Sequence, residues 1–166
     1  MTLKNFDGLT RVIRYPKKEW LTLDRNYYNT FIEVAADCPA SSASVPPVNK
    51  KGKTKAAIEY ELLSAHPYAF TQEDLLFEVH ARHKGIPEEE LIGQRTAFFQ
   101  KPQPCFRSSM LPKKYGWGIH FNEAGKAAMV AMDSPGYEKF LNGEASGVKR
   151  VKAMRNKREQ TDAKKR

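Results

Sequence analysis

The sequence predicts a single α+β domain: an N-terminal strand, about three helices, a β-hairpin, a short helix and a basic C-terminal tail. Three observations carry that class. Between residues 54 and 100, apolar residues recur at helical spacing in segments bounded by caps and stops. Further on, Trp117, Ile119 and Phe121 alternate with Gly118, His120 and Asn122, the two-residue period of a strand. The chain has 166 residues, 40% hydrophobic and 28% charged, enough for one core without disulfides or metal to hold it.

Each element has its own signal. Tyr27 to Ala35 is aromatic and β-branched with partial alternation, which predicts the first strand. Pro39, Pro46, Pro47, Gly52 and interspersed serines predict a long exposed loop over residues 37–53. Ile58, Leu62 and Ala65 share one face of a helix from Thr54, which Pro67 stops. Thr71 offers an N-cap with Asp74 three residues on, and the helix it opens runs through Leu75, Leu76 and Val79 to Gly85, a residue suited to the left-handed C-terminal position. Pro87 at a first turn, followed by Glu88, Glu89 and Glu90 against the positive dipole end, opens a third helix. The alternating segment turns at Asn122-Glu123-Ala124-Gly125 into a second strand near Lys126 to Met132. Ser134-Pro135 starts a short helix carrying Tyr137, Phe140 and Leu141, ended by Gly143. Val148 to Arg166 alternates bases with small residues and has few apolar groups to bury, so a solvated helix or flexible tail is expected there.

The net charge of +9 is unevenly spread. Residues 1–25 hold six basic and three acidic groups, residues 148–166 nine and two, leaving thirteen basic against fourteen acidic between them. A near-neutral domain (27–147) therefore lies between an N-terminal extension (1–26), which Trp20, Leu21 and Leu23 give a way to dock, and a basic tail (148–166). No apolar stretch approaches the roughly 20 residues that cross a bilayer, so no membrane partner is expected. The first 25 residues lack the apolar core of a secretory signal, and Asp7, Glu19 and Asp24 argue against a transit peptide. A cytoplasmic location is expected, or a nuclear one in a eukaryotic host. Cys38 and Cys105 form no Cys-x-x-Cys pattern, so neither a disulfide framework nor a zinc ribbon is signalled.

The densest chemistry lies between Pro102 and Phe121. Cys105 and His120 would make a nucleophile and base if the fold brought them within hydrogen-bond reach, though a small buried thiol suits the same position. Arg107 with Ser108, Ser109, Lys113 and Lys114 matches the oxygens of a phosphate or carboxylate, unless Arg107 pairs with a carboxylate of its own domain. Gly116 and Gly118 around Trp117 permit close approach by another backbone or a flat ligand, and a core indole under a tight strand explains them equally. His80 and His83 are three apart on a helix, with His83 angularly between Leu76 and Val79 and His80 at the edge of that face. They lack the further ligands a metal needs, and no metal or cofactor is expected. Arg95 falls among Leu91, Ile92, Phe98 and Phe99, so it either snorkels outward or is buried against a carboxylate such as Glu61 or Glu78.

Several segments in order resemble a known family. Tyr28-Asn29-Thr30-Phe31-Ile32, Asp37-Cys38-Pro39, His66-Pro67-Tyr68, the stretch from Glu73 to Val79, Gln103-Pro104-Cys105-Phe106-Arg107 and Tyr115-Gly116-Trp117-Gly118-Ile119-His120 resemble an uncharacterised family of bacterial and fungal proteins catalogued only as a domain of unknown function. The resemblance covers about residues 27–158 and implies no activity and no catalytic residue.

The order helix, helix, helix, hairpin is also that of a winged helix-turn-helix. Its recognition helix would present Glu88-Glu89-Glu90 to phosphates, the wrong sign. The leading expectation is an intracellular binding protein whose Lys149, Arg150, Lys152, Arg155, Lys157 and Arg158 contact RNA, DNA or another acidic partner. The alternative is an enzyme on a phosphorylated or carboxylated small molecule, with Arg107 holding the anion and His120 and Cys105 doing the chemistry.

Overall fold

The computed structural model describes residues 24–158 and, N-terminal to them, the backbone of two paired antiparallel strands, β1 (Leu3–Phe6) and β2 (Thr10–Ile13). The sequence predicts no element there, and Trp20, Leu21 and Leu23 lie outside the described residues. The domain then runs β3 (Thr30–Glu33), α1 (Lys55–Ala65), α2 (Gln72–Lys84), α3 (Leu91–Phe99), α4 (Met110–Lys114), β4 (Trp117–Phe121), β5 (Ala127–Ala131), α5 (Pro135–Leu141) and β6 (Lys149–Lys152). Helices and a four-stranded mixed sheet make this an α+β protein. The strand order is β5-β4-β3-β6, with β3–β6 parallel and the other pairs antiparallel.

The local signals act as expected where they are local. Thr54 Oγ1 accepts from the Ala57 amide at 3.2 Å and Thr71 Oγ1 from the Asp74 amide at 3.3 Å, each satisfying an orphan donor of the first turn. Gly85 closes α2 at φ 67°, and the Ile86 amide returns to the Ala81 carbonyl at 2.9 Å. Ser134 caps α5 in front of Pro135. The third helix differs at its start. Glu88–Glu90 form a single 3-10 turn and the α-helix begins at Leu91, because neither Pro87 nor Glu90 caps the first turn through a side chain.

The C-terminal segment is the main correction. Residues 148–158, expected as a solvated helix or flexible tail, supply an edge strand and its continuation. The Lys149 amide donates to the Asn29 carbonyl at 2.7 Å and the Ala153 amide to the Glu33 carbonyl at 2.9 Å. Val151 packs on the core and Ala153 is buried within it. Two small apolar residues suffice because β3 is already buried and lends its open edge. The ladder, rather than apolar area, holds the strand.

The two faces of the sheet carry different partners. Ile32, Ile119, Phe121 and Ala127 pack with Leu62, Leu75, Phe106 and Leu111 in the main core, on the side of α1, α2 and α4. Phe31, Gly118 and His120 point the other way, where α5 lies. Gly118 is required there, since a Cβ would sit 2.6 Å from the Phe31 ring and 2.8 Å from Tyr137. The close approach expected around Trp117 is thus made by the protein's own aromatic rings. A second, smaller core joins Phe77 and Ala81 of α2 to Leu91 and Phe99 of α3.

Candidate functional site

Cys105 and His120 do not form a pair. His120 occupies the α5 face of the sheet, its ring 4.7 Å from Phe140 and its Nδ1 2.8 Å from the Tyr68 hydroxyl. Burial holds its imidazole below the ordinary value, so it is neutral at physiological pH. Cys105 lies on the opposite, helical side, among residues of α1, α2 and α3. Strand alternation separates them: Ile119 and Phe121 must face the helices, so His120 cannot.

Three residues of the expected anion cluster, Arg107, Ser108 and Ser109, have partners within the chain. Arg107 Nε donates to the Lys152 carbonyl at 2.8 Å, and the Met154 amide donates to the Arg107 carbonyl, also at 2.8 Å. Ser108 Oγ meets Met154 Sδ at 2.9 Å. Ser109 caps α4, accepting from the Leu111 amide at 3.1 Å, and donates its own proton to Glu59 Oε2 at 2.6 Å. Arg107 therefore ties down β6, and Ser109 serves a carboxylate of its own chain.

Arg95 pairs with Asp74 at 3.0 Å, not with Glu61 or Glu78, and its guanidinium lies 5.2 Å from the Phe99 ring centroid and 5.9 Å from that of Phe77. Glu61 pairs with Lys53, and Glu78 with Arg82. The histidines of α2 exchange places: His80 is part-buried, 4.6 Å from the Phe98 ring, while His83 is exposed. Because α2 buries Leu75 and Val79 in one core and Phe77 and Ala81 in the other, its apolar arc is wider than one face and turned toward His80. Among the described residues no group of three or more His, Cys, Asp or Glu side chains is placed to hold a metal ion, and no helix is long and apolar enough to cross a membrane.

Two features emerge that the sequence leaves unmarked. The first is a pocket of about 240 Å³ between α1, α2, the end of α3 and the segment Gln103 to Met110. Leu76, Val79, Phe98, Phe106 and Met110 give it apolar walls, and Glu59, Cys105 and Ser109 are among its polar groups. Burial pushes the Glu59 carboxyl up to about 7, against the pull of the Ser109 hydroxyl and the Lys55 charge. Behind Cys105, burial and the neighbouring thiol push the Tyr27 hydroxyl up to about 12.

The second is a clamp on the C-terminal segment. Asp37 accepts from the Asn156 and Lys157 amides, both at 2.9 Å, and the Asn156 side chain donates to the Lys113 carbonyl at 2.9 Å. These bonds hold the Asp37 carboxyl below the usual carboxylate range. They also tie the backbone that carries Arg155, Lys157 and Arg158 to the end of α4 at the Lys113 carbonyl. Lys149, Arg150, Lys152, Arg155, Lys157 and Arg158 are all exposed, and Arg150 is also held by Glu33 at 2.8 Å and by the Leu141 carbonyl at 2.7 Å.

The model of a family of unknown function, DUF6157, matches residues 22–159. The match begins a few residues before Tyr27, in keeping with the docking of residues 24–26. Arg25 donates to the Phe99 carbonyl at 3.0 Å, and Asn26 Oδ1 accepts from the Glu73 amide at 2.9 Å. No curated protein and no solved structure matches the chain.

Proposed function

This chain belongs to the DUF6157 family, which hands on no activity, and from its own surface we propose a binding protein that contacts the phosphate backbone of nucleic acid through its C-terminal basic segment. The observation that carries this reading is the Asp37 clamp. Cations on a loose tail must be ordered when they meet a phosphate backbone, whereas Arg155, Lys157 and Arg158 are carried on backbone already held in place. With Lys149 and Lys152 they make five exposed basic groups along β6 and its continuation, which Asn156 ties to the Lys113 carbonyl at the end of α4. Aromatic side chains that would stack on bases do not interleave them, so the contact reads charge and not sequence. The alternative reading, an enzyme on a phosphorylated or carboxylated small molecule at Cys105, Arg107 and His120, draws no support from a geometry that sets the thiol and the imidazole on opposite faces of the sheet.

The test is anisotropy with labelled single-stranded RNA and duplex DNA across a salt series, for the full chain and for Lys157→Glu/Arg158→Glu. Side chains at both positions are exposed, so the double variant keeps the fold. If about four or five phosphates are neutralised, the logarithm of the binding constant falls against that of salt with a slope of about −3 to −4. The double variant binds at least about tenfold more weakly. Salt-independent binding, or equal affinity in the variant, rejects the proposal.

A further inference from the structure

We propose that the pocket between α1, α2 and the segment Gln103 to Met110 is a binding site for a small protonated amine with an apolar body, its ammonium donating to the Glu59 carboxylate. The proposal is independent of the nucleic-acid reading, since it rests on other residues and on a carboxylate instead of cations.

Size and wall chemistry set the body of the ligand. A volume of about 240 Å³ lies below the usual range of about 300–1,000 Å³ for drug-sized ligands, so the occupant is small. Leu76, Val79, Phe98, Phe106 and Met110 come from three separate segments of the fold and converge there, which suits an aliphatic or aromatic group.

The polar groups set the head. A carboxylate among apolar walls is costly unless a cation or several donors meet it. Ser109 supplies one donor, to Oε2, and a carboxylate accepts at two oxygens. The titratable groups around it do not supply a partner of equal strength. His80, on α2, is held below its ordinary value first by burial and then by the Lys55, Lys84 and His83 charges, so it is neutral above pH 7. Lys55, one turn before Glu59 on α1, is exposed, and no ion pair joins the two within 4.0 Å. Cys105, on the third wall, offers only a weak donor. An ammonium entering between these walls would replace water with a charge-assisted hydrogen bond in an apolar setting, the condition under which such a bond is strongest. An anion, by contrast, would meet a carboxylate, which is why the small anionic ligand expected from Arg107 and the serines does not belong in this pocket.

The experiment titrates benzylamine and its neutral counterpart benzyl alcohol into the full chain, at pH 8 and pH 5.5, following backbone amide shifts. Glu59→Gln is the variant. It removes a part-buried charge and retains an acceptor for Ser109, so it folds, and unchanged spectra away from the pocket verify this. At pH 8, benzylamine is expected to shift Ala56, Val79 and Ser109 and to bind at least about tenfold more tightly than benzyl alcohol. Its affinity falls toward pH 5.5 as Glu59 takes up a proton. Glu59→Gln removes the preference for the amine. Equal binding of the two probes, an amine preference that survives in the variant, shifts that map outside the pocket, or no shifts at 10 mM of probe (about the weakest affinity a small fragment gives) would each overturn the assignment.

Discussion

Glu59 is the residue on which the pocket depends, and nothing in its local sequence separates it from the solvated glutamate of the same helix. Glu61, two positions on, is exposed and pairs with Lys53. The difference comes from the segment Gln103 to Met110, which lies over one side of α1 and not the other, and that is tertiary information. A stability prediction follows from its raised carboxyl. Below pH 4.5 the group is protonated in both the folded and unfolded states, and its burial carries no charge penalty. As pH rises through about 7 the folded carboxyl must ionise in its apolar site, so the stability present at low pH is lost across that window. The loss amounts to about 3 kcal/mol at most. Urea unfolding at pH 5 and pH 8 should show it, superimposed on the other titrations, and Glu59→Gln should remove this component. Gly118 is a residue whose type was legible and whose reason was not. Gly118→Ala places a methyl against Phe31 and Tyr137, and an expected destabilisation of about 1–3 kcal/mol is measurable in the same assay.

Elements defined by their own ends were readable. Thr54, Thr71, Gly85 and Ser134 act through bonds that span a few residues, so their meaning survives without knowledge of the rest of the chain. The hairpin was readable for the same reason, through alternation in β4 and the Asn122 to Gly125 turn. β6 was not, because Lys149, Arg150, Val151 and Lys152 form a strand only when the edge of β3 is offered to them. The basic residues that conceal it as a strand also suit an exposed edge, where lysines discourage pairing with other chains. A chain ending at Gly147 therefore loses more than charge. It loses the bond of Lys149 to Asn29, that of Ala153 to β3, that of Met154 to Arg107 and the Asp37 clamp. At about 1 kcal/mol for each hydrogen bond, a loss of at least about 3 kcal/mol is expected. Thermal unfolding should show a lower midpoint for that truncation than for one ending at Arg158, and equal midpoints would mean that β6 is dispensable.

At the scale of the molecule, the first and last strands of the domain lie side by side in the sheet, joined by a parallel ladder whose partners are on the order of a hundred residues apart. The core between them draws on both strands, so residues 149–153 are part of the domain and not an appendage to it. Division of the chain by charge could not reveal this, because it treats the basic segment as surplus to a neutral domain when its backbone completes that domain's sheet. Two physical consequences can be read together. Pairing over such a separation places much of the loop-closure entropy ahead of the contacts that offset it, which puts refolding in the slower range, milliseconds to seconds. It also ties the opening of β6 to that of β3, since Ala153 is buried in the same core as Ile32 and Ile119. Hydrogen exchange should then report the Ala153 amide, bonded to Glu33, as protected to the same free energy as amides of β3 and β4. If the Ala153 amide exchanged orders of magnitude faster, β6 would be opening by itself. The basic groups would then meet a polyanion as a free tail, and the clamp on which the proposed contact relies would carry no advantage.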